Sequence, residues 1–177
     1  IVETIPGYKD HTVRYTGSAR VESNYRDTLK PGDKRDGVGG SLLGIDPDQE
    51  EKFSGVSKFI IRGSYLNSTD QDSVLIGKNL LYEFTPIEAP GFQTLKNISI
   101  GARVKITVGD VSKEYFIKGI LSSKVDEFDT SVVALSSEVR KLTGRSDLDA
   151  GTIAIQLLPG TDPTFAKNFL LDSGVGD

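Results

Sequence analysis

The chain has 177 residues, 37% of them hydrophobic and 26% charged, which suits one domain or two small lobes sharing a core. A formal net charge of −4 excludes a basic duplex-binding face, so no nucleic acid is expected as a partner. Cys is absent, which excludes disulfides, thiolate nucleophiles and thiolate metal sites, and no stretch approaches the roughly eighteen apolar residues of a membrane span. The start at Ile1-Val2-Glu3-Thr4 has neither an initiator Met nor a signal-peptide pattern, so the chain reads as a piece of something longer.

Ile5-Pro6-Gly7 stops whatever enters from the N-terminus. Residues 11–21 alternate as a long strand, with Val13, Tyr15, Gly17, Ala19 and Val21 on one face. Thr12, Arg14, Thr16, Ser18 and Arg20 fall on the other, which reads as the wet side. Residues 27–36 read as a solvated charged loop around Lys30-Pro31-Gly32-Asp33, and residues 38–45 return as a Gly-rich strand, making a hairpin. Asp46-Pro47-Asp48-Gln49 is a helix start: Asp46 caps, Pro47 tolerates the first position and Gln49 sits where a capping box wants it. Glu50 and Glu51 suit the positive end of the helix dipole, and Gly55 ends the helix.

Residues 58–62 and 73–76 read as short strands, and residues 77–84 as a helical turn or two with Leu80, Leu81 and Phe84 inward. Val104, Ile106 and Val108 alternate with Arg103, Lys105 and Thr107 in a half-buried strand. Gly109-Asp110 turns it into a returning strand over 113–121. An acidic loop, Asp126-Glu127-Phe128-Asp129, follows with Phe128 as its inward anchor, then a buried strand over 131–135. A helix capped by Ser136 or Ser137 places Val139 and Leu142 on one face and closes at Gly144. Residues 152–158 alternate Ile153, Ile155 and Leu157 inward, and Asp162-Pro163 opens a last helix in which Phe165 and Phe169 pack together. The sum is an α+β chain whose C-terminal part runs β-α-β-α.

None of the candidate chemistry forms a site. His11, the only His, stands at a strand start on the polar side with nothing nearby to orient its ring, so a solvent-facing structural role is the reading. No HExxH spacing and no G-x-S-x-G elbow occurs. Gly37-Val38-Gly39-Gly40 lacks the Lys-Ser/Thr ending of a phosphate loop and reads as strand-packing or bulge glycines. Asp126, Glu127 and Asp129 are the best carboxylate cluster, yet lack an EF-hand pattern, leaving turn formation and solvation. The sequons Asn67-Ser68-Thr69 and Asn97-Ile98-Ser99 fall in loops and matter only outside a glycosylating cell. No catalytic, cofactor-binding or metal-ligating residue is assigned, and no cofactor is expected.

The order of these elements resembles the extracytoplasmic domain of MacB/FtsX/LolC-type ABC transporter permeases. The matching residues are Ile5-Pro6-Gly7, Gly44-Ile45-Asp46-Pro47, Arg62-Gly63 and Val74-Leu75-Ile76-Gly77-Lys78-Asn79-Leu80. Ile100-Gly101-Ala102-Arg103-Val104, Ile117-Lys118-Gly119-Ile120-Leu121, Glu127-Phe128-Asp129 and Val132-Val133 complete the run, which covers nearly all of residues 1–177. The loop over 22–36 is more charged than the family's, and the leading helix is mostly missing.

The resemblance implies a single extracytoplasmic domain of two lobes. One is a mixed α/β lobe over 1–60 and 130–177, and the other is a mainly β lobe over 61–129 inserted into it. It further implies a non-enzymatic domain, anchored to the cell membrane in the full-length protein, that couples cytoplasmic ATP hydrolysis to events outside. An ABC ATPase subunit, an extracytoplasmic protein or a lipoprotein or lipid substrate would be its partners, and the full-length protein would be a dimer. The rival readings are a secreted binding or adhesion module, marked by a large exposed apolar patch, and a small hydrolase, marked by converging carboxylates in a pocket.

Overall fold

The computed structural model describes residues 1–32, 35–87, 89, 93–145 and 151–174. Among the described residues there are eight strands: β1 (Tyr8–Glu22), β2 (Gly37–Ile45), β3 (Ile60–Gly63), β4 (Ser73–Gly77), β5 (Arg103–Val108), β6 (Val111–Leu121), β7 (Ser131–Leu135) and β8 (Thr152–Leu157). The helices are α1 (Pro47–Ser54), α2 (Asp126–Asp129), α3 (Ser136–Thr143) and α4 (Pro163–Asp172). Strand order is β2-β7-β4-β6-β5-β1-β8, and β1 also pairs with β2, so six strands close into a ring. β2–β7 and β4–β6 are parallel and the other pairings antiparallel. β8 continues the N-terminal half of β1 beyond the ring, and β3 pairs with the end of β6.

Period-two alternation sorts the apolar side chains into two clusters, one on each side of the wall. Val38 and Leu42 of β2, Val132 and Ala134 of β7, Val74 and Ile76 of β4, and Val104 and Ile106 of β5 share one cluster. Ala19 and Val21 of β1 and Tyr115, Ile117 and Ile120 of β6 join it, and α3 adds Val139 and Leu142. The intervening residues Leu43, Ile45, Leu75, Leu121 and Val133 pack outside with Val56, Leu66 and Phe128. A bulge in the β4–β6 ladder, where Val74 faces Ile117 and Leu75 faces Gly119, shifts the inward set of β6 from Ile117 to Ile120. All five residues of β7 are buried, as a strand covered on both faces requires.

Several local expectations hold and several change. Asp46 caps α1 by accepting from the amides of Asp48 and Gln49. Gln49 closes no capping box; its amide reaches across to the His11 carbonyl at 2.6 Å and to Asp10. Residues 77–84 form only a single 3₁₀ turn, Lys78–Leu80. The chain beyond is drawn into a bridge in which Leu95 donates to Leu80 and Tyr82 donates to the Leu95 carbonyl, so Phe84 ends exposed. The 126–129 segment is one turn of helix, α2, with Phe128 buried as expected. No side chain caps α3, whose N-cap is Leu135. In α4 Ala166 takes the buried position, and Phe165, expected to pack with Phe169, is 54% exposed. Ile153 of β8 is also exposed rather than inward.

Candidate functional site

The N-terminal half of β1 reverses the expectation for its two faces. Thr12 and Arg14, on the side read as wet, are buried because α1 packs on it and Glu127 and Phe128 of α2 meet Arg14. Arg14 meets Glu50 of α1 as a fork: Nε donates to Oε2 at 3.0 Å and Nη2 to Oε1 at 2.8 Å. Its remaining nitrogen, Nη1, donates to Glu127 Oε2 of α2 at 2.6 Å, and the guanidinium lies 4.8 Å from the Phe128 ring centre. Thr12 Oγ1 and Ser54 Oγ donate to the two Glu50 oxygens, so this fully buried carboxylate is saturated. Burial works to lower the Arg14 pKa, and the bonds and charges of Glu50 and Glu127 outweigh it, leaving the pKa raised and the guanidinium charged.

A second ionic centre lies at α3. Glu138, 1% exposed, accepts from Lys113 Nζ at 2.6 Å, Lys141 Nζ at 2.8 Å and Tyr115 OH at 3.2 Å. Burial works to raise its pKa, and the Lys113 and Lys141 hydrogen bonds reverse this, holding the carboxyl below its ordinary value. Tyr115 is pushed the other way, well above the phenol range, by burial and by the Glu138 charge.

The cluster Asp126, Glu127 and Asp129 does not converge. Asp129 turns inward and accepts from the amides of Ser123 at 2.6 Å and Lys124 at 3.1 Å, with Lys78 Nζ at 3.5 Å. Glu127 serves Arg14, while the Asp126 carbonyl accepts from Thr130. Among the described residues no group of three or more His, Asp or Glu is placed to hold a metal ion. His11 is oriented after all: the Tyr8 hydroxyl lies 2.7 Å from its Nδ1. Gly37 to Gly40 lie within β2, where a Cβ on Gly40 would meet the Leu80 side chain at 3.1 Å. Asn67 and Asn97 are exposed in connecting segments.

An open depression of about 350 Å³ lies beside the end of α3, lined by Ser137, Arg140, Lys141, Gly144 and Arg145. Local sequence gave no sign of the ionic centres. Arg14, Glu50 and Glu127 are far apart in the chain, and each sits in a segment that reads equally well as a solvated surface. Chemically the two centres are clamps: each carboxylate is held by cations and hydroxyls rather than left to exchange a proton with a substrate.

No protein-family model matches the chain. No curated protein sequence matches it either. Solved structures do. The extracellular domain of the noncanonic ABC-type transporter YknZ from Gram-positive bacteria matches 99% of this chain and 81% of that one, with a TM-score of 0.58 at 11% identity. The periplasmic region of MacB from Actinobacillus actinomycetemcomitans matches 97% of this chain and 68% of that one, with a TM-score of 0.56 at 15% identity. The chain therefore has the α+β fold of these extracytoplasmic ABC transporter domains.

Proposed function

We propose that this chain works outside the cell membrane as the extracytoplasmic domain of an ABC transporter permease. The observation that carries this reading is the likeness to two such domains over almost the whole chain, at 99% and 97% coverage. In this reading the domain hydrolyses nothing. ATP is consumed by a separate cytoplasmic subunit or domain, and the full-length protein is a membrane-anchored dimer that acts on a protein, lipoprotein or lipid partner. Among the described residues no helix is long and apolar enough to cross a membrane.

The lobes proposed are 1–60 with 130–177, and 61–129. Around the ring they meet along two short ladders, three residue pairs between β1 and β5 and two between β4 and β7. The ladders inside the lobes are longer, eight pairs for β1–β2 and six for β5–β6. Both ionic centres also cross this boundary: Arg14, paired with Glu50 in its own lobe, reaches Glu127, and Glu138 reaches Lys113 and Tyr115. Short seams with polar clamps suit two bodies that tilt a little and return.

At the base, Leu158 N donates to the Gly7 carbonyl at 2.8 Å, so the entering segment runs beside the one that leads into α4. That arrangement suits a body held from one end, while Asp177 lies outside the described residues. These 177 residues contain no Cys, so labelling above that of the unsubstituted full-length protein reports on a Cys placed here. A Ser68→Cys variant of the full-length protein is expected to react with a membrane-impermeant maleimide in intact cells or spheroplasts. Labelling only after lysis would overturn the proposal.

A further inference from the structure

The two exposed sheet edges are built differently. β3 is four residues long, is bulged between Ile60 and Arg62 and carries a cation, all of which discourage another strand from adding to it. β8 is longer and uncharged, and the one register shift in its ladder, between Tyr8 and Asp10, puts the extra residue on β1 rather than on β8. It runs six residues and is followed by Leu158, and Thr152-Ile153-Ala154-Ile155-Gln156-Leu157-Leu158 contains no charge and no proline. Because Leu158 N donates to Gly7, the alternation of an antiparallel ladder turns the amides and carbonyls of Ile153, Ile155 and Leu157 away from β1. Among the described residues no other strand pairs with β8, so this row of groups faces outward. Ile153 is 39% and Leu158 50% exposed.

We propose that β8 is a self-pairing edge, through which two copies of this chain join antiparallel about a two-fold axis at Ile155 and extend one sheet across both molecules. In that register Ile155 faces the partner's Ile155, and Ile153 faces the partner's Leu157. Each pair exchanges two N–H···O bonds through the outward groups, giving a closed, isologous contact. The three outward-directed residues share a face, so six aliphatic side chains form one strip across the axis. The absence of charge is what selects a second copy as occupant. A charged edge would set like charges opposite each other on self-pairing, and this one offers nothing to attract a charged foreign strand. Seven residues of edge cover less than the roughly 800 Å² per partner of a standard interface, so pairing is weak in dilute solution and strengthens when two copies are held together. The inference stands on this edge alone and not on the transporter reading.

The test uses the 177-residue chain. In the unsubstituted protein, exchange of the Ile153, Ile155 and Leu157 amides is expected to slow as concentration rises, while Ala154 and Gln156 stay unchanged. Under oxidation Ile155→Cys is expected to form a disulfide dimer, since facing residues of such a pair lie about 5.5 Å apart. Ile153→Cys is expected not to, its two copies being displaced by about 13 Å along the strands. Adding Ile153→Lys to the Ile155→Cys chain is expected to cut cross-linking about tenfold by placing a charge in the apolar strip. Concentration-independent exchange at the three amides would overturn the proposal. So would cross-linking of Ile155→Cys no faster than of Ser68→Cys, the result expected if β8 takes a strand of another protein.

Discussion

Arg14 holds one fully buried carboxylate and one that is partly exposed, and the two should not matter equally. Removing the guanidinium strands Glu50 without a counter-charge, so Arg14→Ala is expected to cost about 3–5 kcal/mol in urea unfolding. Glu127 has 35% of its side chain exposed and can be solvated, so Glu127→Ala is expected to cost about 1 kcal/mol or less. Equal losses would mean that the fork to Glu50 is not the anchor. Glu138 adds a dependence on pH. Its pKa in the fold lies below the ordinary 4.5, so its contribution is complete above that value and is lost as the pH falls below it. Unfolding free energy measured from neutral pH downward should therefore fall in acid, and Glu138→Gln should flatten that fall while lowering stability at neutral pH. An unchanged acid limb in Glu138→Gln would assign the fall to other carboxylates, such as Glu22, whose pKa is lowered by Lys105.

At the level of elements, two devices set where the helices begin and how closely the strands pass. The Asp46 carboxylate satisfies two amides at the start of α1, and Asp46→Ala is expected to lower stability by about 1 kcal/mol in thermal or urea unfolding. Gly77 ends β4 where a Cβ would sit 2.4 Å from the carbonyl oxygens of Phe128 and Asp129, which are backbone and cannot swing aside. Gly77→Ala is therefore expected to cost about 1–3 kcal/mol, against within about 0.5 kcal/mol for Gly39→Ala, where a Cβ meets nothing within 4 Å.

These contrasts also explain what the sequence disclosed. Strands β1, β2, β5, β6 and β7 and the start of α1 were legible because alternation and capping are local signals. The stretch over 77–84 misled because its apolar spacing fits a helix, while Leu95, fifteen residues beyond Leu80, takes up its backbone groups. The buried face of Arg14 was illegible for the same reason: only the fold brings α1 onto that half of β1 and Glu127 and Phe128 to Arg14. Position in a strand reveals a face, but not what lies against it.

Taken whole, six strands from both proposed lobes close one ring around a shared apolar cluster, with two short seams crossed by ionic clamps. In the function proposed, this body transmits movement by tilting at those seams and does no bond chemistry of its own. A reversible staple tests that most directly. Arg20 and Thr107 face each other across the β1–β5 seam, and Thr107 and Ser112 face each other within one lobe. ATP hydrolysis by the complete transporter in lipid should be measured for the paired-cysteine variants, oxidised and reduced. Arg20→Cys with Thr107→Cys is expected to lose most hydrolysis on oxidation and recover it on reduction, while Thr107→Cys with Ser112→Cys stays active throughout. Full hydrolysis with the β1–β5 seam locked would contradict the account.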